Sequence, residues 1–386
     1  MAVYGVKWHS DATSPTLDRL ESNVGLTAGT SFNTLSPWTM RRCNLWTDGT
    51  PTAYYGDRCY TDTDVVNMGQ VMVQIPKFWY AIDISLANHV AFYISNTGAE
   101  VVTNLSGGGN ITWAVHPAFI VGGTPVTYAY VGAFEAYQNG SDFESKGLVT
   151  PSNTITPATA RTVAEHRGTG WELMTIQALS ALKLLYIVEY ASLSSDLIGY
   201  GRCQDVGALD TGYTGLGGPV PSGNASYGDP VTAHYHTPMS YRGVENLWGD
   251  LNTLMEGIIV KLDDMPWIAP QSRGHTYSFA SPTGAPYVDT TVTLGASGYI
   301  KDVYTDPAAL GSTAANWAFL PKTTTGGSAT TYLCDHWARL DGLRVVVAGG
   351  AYDSGTVMTG LFYLAGAWQA GGVSNVGFRT QYLPSA

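Results

Sequence analysis

The sequence predicts an α+β fold, rich in loops, in which two helices pack on sheet. Three observations carry that expectation. Runs of strand length with β-branched or aromatic side chains recur at Gln70–Ile75, Lys77–Ile82, Val90–Ile94 and Leu343–Gly350. Two stretches carry helix signals: Thr156-Pro157 opens one that runs to Arg167 before Gly168 and Gly170, and Thr175 caps another over Ile176–Tyr190. Glycine and proline divide nearly everything else into short pieces.

Residues 1–70 read as a small N-terminal attachment or oligomerisation region. Within it, Ser14-Pro-Thr-Leu-Asp-Arg-Leu-Glu21 offers an N-cap, a proline at the first helical position and a turn or two of helix. From residue 71 onward a larger domain is expected. Its first strands follow one another closely, with Gly107–Asn110 and Val121–Thr124 as turns and His116-Pro-Ala-Phe119 leading to a strand at Tyr130. In the second helix Leu179, Leu182, Leu185, Tyr186 and Tyr190 recur every three or four residues, the spacing of a face laid on a sheet. Residues 199–238 form a glycine-rich stretch with Tyr200, Tyr213, Tyr227 and Tyr235, too long to be silent filler. Ile258–Leu262 reads as a strand ending at Asp263-Asp264.

The C-terminal segment 343–386 is expected to bind a ligand. From Ser354 to Phe378 it has 25 residues without a charge, with glycines and aromatics interleaved. Short apolar runs there suit strands and tight turns, and a solvated linker would be more polar. The run is bracketed by Arg344-Val-Val-Val-Ala-Gly-Gly350 and Gly377-Phe-Arg379.

That bracket resembles the end of the C-type-lectin-like domain of the formylglycine-generating enzyme family. Upstream, Tyr130-Val-Gly-Ala-Phe-Glu-Ala136 is similar to an early strand of that family, Ala158–Tyr190 to its helix, turn and second helix, and Gly243-Val-Glu-Asn-Leu-Trp-Gly249 to its tryptophan-bearing block. The four blocks stand in the family's order over about residues 76–386. The resemblance implies two helices on small antiparallel sheets. Pro37–Asn44, Ala53–Asp57 and Val73–Tyr80 also resemble the N-terminal part of phage tail proteins with this architecture, some of which are variable receptor-binding proteins of diversity-generating retroelements. The enzymes need a cysteine pair between the two anchors, and no cysteine stands there: the four are at 43, 59, 203 and 334. The expectation is therefore a non-enzymatic receptor-binding protein of a phage tail, with a structural tail or baseplate protein and a formylglycine-generating type of enzyme as alternatives, the last disfavoured. By position in the diversified relatives, the resemblance implies contacts from Tyr352, Asp353, Ser354, Thr356, Met358, Thr359, Tyr363, Trp368, Gln369 and Ser374. Phe362 and Leu364 read as core, and strand alternation sends Tyr363 to the other face. The partners implied are a host cell-surface receptor, other tail proteins and two further copies of the chain in a homotrimer, where avidity would add to weak single sites.

Composition agrees with an adhesive surface. Charged residues are 13% against 45% hydrophobic, with 24 Tyr and 11 Trp, so Tyr, Ser, Gly, Thr and Asn must cover much of the exterior. Tyrosine supplies rigid contact area with few rotors to freeze. A net charge of −11 with no basic stripe argues against nucleic acid. No run of about 18 apolar residues exists to insert in a bilayer, and the opening MAVYGVKWHS has neither limb of a signal peptide. Synthesis in the host cytoplasm followed by incorporation in a virion is the expectation.

Other candidate chemistry is sparse. His234 and His236 are two apart and could share a metal, but the further ligands on offer, His275, His336 and Asp335, are distant, so loop packing is the leading reading. Asp263-Asp264 reads as a turn without EF-hand spacing. Glu245, Asn246 and Trp248 read as core, and Cys334-Asp335-His336 makes no dyad because neighbours on a strand face opposite ways. No cofactor is expected, with structural calcium on backbone carbonyls the exception left open.

Overall fold

The computed structural model describes residues 2–214, 223–224, 235–261, 264–270, 285–340, 342–367 and 372–385. Over these the fold is α+β, mostly sheet, with few helices and many loops. One five-stranded antiparallel sheet runs in the order Asp18–Glu21, Val3–His9, His89–Ser95, Trp79–Asp83, Ala114–Val115. A six-stranded antiparallel sheet runs Trp171–Leu173, Thr380–Tyr382, Tyr128–Gly132, Gln70–Pro76, Arg41–Leu45, Pro51–Tyr54. The third and largest sheet centres on Asn252–Val260, Arg344–Gly349 and Gly360–Ala367. It departs from the small antiparallel sheets expected, because Val376–Gly377 joins Asn252–Val260 in parallel and His336–Ala338 joins Gly360–Ala367 in parallel.

Both expected helices form. Pro157–His166 is capped by the Thr156 hydroxyl, which accepts from Thr159 N at 3.1 Å, and Ile176–Tyr190 by Thr175, which accepts from Ala178 N at 3.2 Å. The second helix is not laid on a single sheet. Every residue from Ile176 to Glu189 is buried, including Gln177, Ser180, Lys183 and Glu189. A helix enclosed on all sides needs partners for its polar groups, and it finds several: Ser180 Oγ meets the wholly buried His116 imidazole at 3.2 Å, and Glu189 takes a two-point contact from the Arg242 guanidinium, 2.6 Å at each oxygen. Burial drives the His116 pKa down to about 3, so its ring stays neutral.

No break separates residues 1–70 from the rest. Val3–His9 pairs along its whole length with His89–Ser95, and Arg41–Leu45 pairs with Gln70–Pro76. The same region closes the C-terminal end of the buried helix: Trp38 Nε1 donates to Leu185 O, Asn23 Nδ2 to Val188 O, and Arg19 Nη2 to Glu189 O. A helix end leaves its last carbonyls without partners, and here side chains from the first forty residues supply them. Ser14–Glu21 is correspondingly not a helix. Leu17 N donates to Ala191 O, Leu193 N to Pro15 O, and Asp18–Glu21 zips onto Val3–His9, so ladder bonds replace the helical ones that its proline and cap residue offered.

The Gly360–Ala367 strand lies between two cores. Leu361, Phe362 and Leu364 enter the larger apolar cluster with the buried helix, whereas Tyr363 enters a second cluster with Val345, Val347, Leu254 and Phe378. Alternation holds from Phe362 to Ala365, while Leu361 shares the Phe362 core where the register shifts, and both faces are covered. Within the larger core Lys183 is fully buried, with its Nζ 5.5 Å from the centre of the Phe362 ring and no hydrogen-bond partner among the described residues.

Burial drives the Lys183 pKa down to about 7, against a weaker upward pull from Asp335. The unfolded chain therefore binds a proton that the folded chain refuses between about pH 7 and the ordinary lysine value. This group's contribution is full above that ordinary value and is lost as the pH falls toward 7. Lys183→Met should remove that slope and raise stability at pH 7 by about 1–4 kcal/mol, measured by urea unfolding at pH 7 and pH 9.5.

Candidate ligand-binding loop surface

The site is built outward from Arg379, a fully buried side chain. Its chain segment passes from one sheet to another: Val376–Gly377 lies beside Asn252–Val260, and Thr380–Tyr382 lies between Tyr128–Gly132 and Trp171–Leu173. At that crossing Arg379 Nη1 donates to Gly132 O at 2.8 Å, and Nη2 donates to Glu245 O at 2.6 Å and Asn246 O at 3.0 Å. The three sequence blocks around Tyr130, Gly243 and Gly377 thus meet at one guanidinium. Burial lowers its pKa to about 10, with Glu135 the strongest opposing influence, so it remains charged at neutral pH.

One buried carboxyl, Glu135, stands next to it, and a second, Asp250, stands next to Glu135. Glu135 accepts from Asn246 Nδ2 and Leu251 N, both at 3.1 Å. Asp250 accepts from Arg202 Nη1 at 2.6 Å and Leu209 N at 3.1 Å. Burial, and then the neighbouring Asp250, push the Glu135 pKa well up, while burial raises that of Asp250 against the pull of Arg202. The pair gives up its protons less readily than two exposed carboxyls would.

From this base the loops are tied down. Arg202 reaches Gly207 O at 2.6 Å and Asp205 Oδ2 at 3.1 Å, which sets residues 202–209 around Asp250. Glu245 accepts from Gly212 N, Thr214 N and Thr214 Oγ1 at 2.7, 2.7 and 2.6 Å, which holds the next stretch. The loop after Gly350 is laced to the same segment: Asp205 N donates to Tyr352 O, Gly355 N to Cys203 O, and Tyr352 N to Asp250 O. Tyr352 Oη reaches Ser374 O at 3.3 Å and Asn375 Nδ2 reaches Asp353 Oδ1 at 2.9 Å, which brings in residues 372–375. Gly350 permits the tight join, since its φ is +80° and a Cβ would fall 2.2 Å from Met358 O. Three loops distant in sequence therefore share one surface, on which Val206, Val357, Met358 and Val373 are exposed beside Asp353 and Ser374.

The residues named from sequence divide here. Asp353, Met358 and Ser374 are exposed, and Ser354 and Thr356 are half-buried. Tyr352, Thr359 and Tyr363 are buried: Tyr352 joins two loops, Thr359 Oγ1 donates back to Gly355 O at 2.9 Å, and Tyr363 fills the second core. Trp368 and Gln369 lie outside the described residues. Sequence reasoning missed Val206 and Val373; Val206 sits in the long 199–238 stretch, whose length was the available signal.

The remaining candidates separate. His234, Asp263 and His275 lie outside the described residues, while His236 is 3.7 Å from Asp205. Asp264 pairs with Arg339. Asp335 is buried and accepts from Phe362 N at 2.7 Å and from Ser195 Oγ at 3.1 Å, and burial pushes the neighbouring Cys334 thiol up to about 12. No group of three His, Cys, Asp or Glu side chains suited to a metal occurs among the described residues. No described helix is long and apolar enough to cross a membrane.

No family model matches the chain, and no curated protein matches it. Among solved structures it is similar to one titled "Major Tropism Determinant U1 Variant", at 14% identity and a TM-score of 0.29, over 95% of this chain and 75% of that one. Similarity at that level assigns neither a family nor a function.

Two outcomes test the scaffold. Arg202→Met strands Asp250 in the interior and should cost about 3–5 kcal/mol, with hydrogen exchange rising first at residues 203–211. Because the Glu135 pKa is raised on folding, its contribution is full below the ordinary glutamate range and is lost as the pH climbs through the raised value. Glu135→Gln should flatten the fall in melting temperature on the alkaline side, read by calorimetry from pH 5 to 9.

Proposed function

We propose that this chain is a non-enzymatic receptor-binding protein of a phage tail, and that the surface made by loops 203–213, 352–358 and 372–375 is its contact face. One observation carries the reading: three loops present exposed apolar and small polar side chains together, on a base fixed by buried charges. A binding face needs side chains that can be exchanged and a backbone that cannot move, because loop ordering on binding subtracts from affinity. Here the exposed Val206, Val357, Met358 and Val373 make few demands on the core, while the backbone bonds beneath them are numerous.

The C-type-lectin-like architecture is part of the same proposal. The convergence of the Tyr130, Gly243 and Gly377 blocks on Arg379 is what a shared scaffold of that type would require. The absence of enzymatic function is proposed on the thiols. Cys43, Cys203 and Cys334 are buried and pushed to about 12, so thiolate, the form that binds copper or attacks a substrate, is disfavoured at each. Cys59 is exposed and lies far in sequence from the Gly-Gly and Gly-Phe-Arg anchors. Assembly as a homotrimer within a virion, against a host cell-surface receptor and beside other tail proteins, completes the proposal.

Replacing Val357 and Met358 by serine, or Asp353 and Ser374 by alanine, should reduce adsorption of assembled particles to host cells by tenfold or more, about 1.4 kcal/mol, with the melting temperature of the protein unchanged. Particles that assemble and adsorb normally with all four substitutions would favour a purely structural tail protein.

A further inference from the structure

We propose a second binding site, for a carboxylate-bearing sugar, on the six-stranded sheet at Arg41, Tyr54, Tyr128 and Tyr130. These residues share no position with the loop surface. The strand register places them together: Arg41 stands opposite Gln74, Gln74 opposite Tyr130, and Tyr128 opposite Pro76, all on one face. Farther along the same row Tyr130 packs edge-on against Tyr382 and then Trp171, where the sheet is covered. At the Arg41 end it is open, with Arg41 and Tyr128 exposed and Tyr54 half-buried.

The chemistry of this open end is one-sided. The Arg41 guanidinium lies 3.8 Å from the centre of the Tyr54 ring and pairs with no carboxylate among the described residues, in a chain whose net charge is −11. A guanidinium over a ring face can still offer its N–H groups to a carboxylate at two points. Gln74 Nε2 donates to Tyr54 Oη at 3.1 Å and to Tyr130 Oη at 2.9 Å, so both phenols act as acceptors there and each keeps its own O–H to give. The Arg41 guanidinium and the Tyr54 hydroxyl thus stand on the same face as an exposed aromatic ring, Tyr128, whose centre is 6.5 Å from that of the buried Tyr130. Aromatic faces take the apolar C–H face of a pyranose, and a guanidinium without a carboxylate partner selects an anion over a neutral hydroxyl. The row offers no exposed aliphatic side chain for an apolar protein surface. A uronic or similar acidic sugar satisfies both halves of the site.

The test uses the full chain and titration calorimetry with a glucuronate-containing oligosaccharide, its carboxyl-reduced counterpart and a polyglutamate peptide of similar charge. Binding of the acidic saccharide, at least about tenfold weaker after carboxyl reduction, is expected. Arg41→Gln should lower its affinity by a similar factor, Arg41→Lys should restore it only in part, and Tyr128→Ala should weaken the saccharide while melting temperatures hold. Val357→Ser with Met358→Ser should leave this binding intact, so failure of the loop surface and of this site are read separately. No binding of the acidic saccharide, equal binding of the reduced one, equal binding of polyglutamate, or indifference to Arg41→Gln would each overturn the assignment.

Discussion

The contact between the Arg379 guanidinium and the carbonyls of Gly132, Glu245 and Asn246 is the constraint on which this structure turns. A charge with no access to water is costly unless its donors are used, and Arg379 uses both of its Nη groups on backbone from two other segments of the chain. Because the acceptors are main-chain carbonyls, the bond fixes where those segments run and not merely which side chains they carry. The crossover between the six-stranded and the largest sheet is located at this point.

Charge propagates from there toward the surface. Glu135 lies next to Arg379, Asp250 next to Glu135, and Arg202 next to Asp250, so the two guanidiniums flank a pair of carboxyls in which the charge of Asp250 opposes ionisation of Glu135. Arg202 then fixes residues 202–209, and the Tyr352 backbone joins the C-terminal loop to them. A chain with 13% charged residues has placed several of them inside, where they order loops, and has left small and apolar side chains to meet a partner. Charge that specifies geometry in the interior and apolar area that supplies affinity outside is a coherent division of labour.

Much of the fold was legible in the sequence. The caps at Thr156 and Thr175 and the runs at 70–75, 90–94 and 343–350 gave elements that form within a residue or two of expectation, because caps and β-branched runs act locally. Ser14–Glu21 is extended and not helical because an N-cap and a proline also suit an extended segment when partners are on hand: Val3–His9 takes Asp18–Glu21, and Ala191 and Leu193, distant in sequence, bond Leu17 and Pro15. The pairing of region 1–70 with later strands was hidden for a related reason. Its turn-rich composition says nothing of the fact that Arg19, Asn23 and Trp38 satisfy the end of a distant helix.

The candidate site was half legible. The sequence by itself determined that the segment after Gly350 is uncharged and anchored at both ends, and that no thiol pair stands between the anchors. It determined the alternation that separates Tyr363 from Phe362 and Leu364. Only the tertiary structure decided that the face to which Tyr363 turns is a second core and not solvent, and that Tyr352 braces two loops from beneath. Only the tertiary structure joined the backbone of Cys203 and Asp205 to that of Gly355 and Tyr352 and set Arg41 on Tyr54 next to Gln74. The physical reason is one of range: hydrogen-bond caps and side-chain periodicity act over a few residues, whereas what covers a face, and which loops share a surface, depend on contacts between segments that the chain keeps far apart.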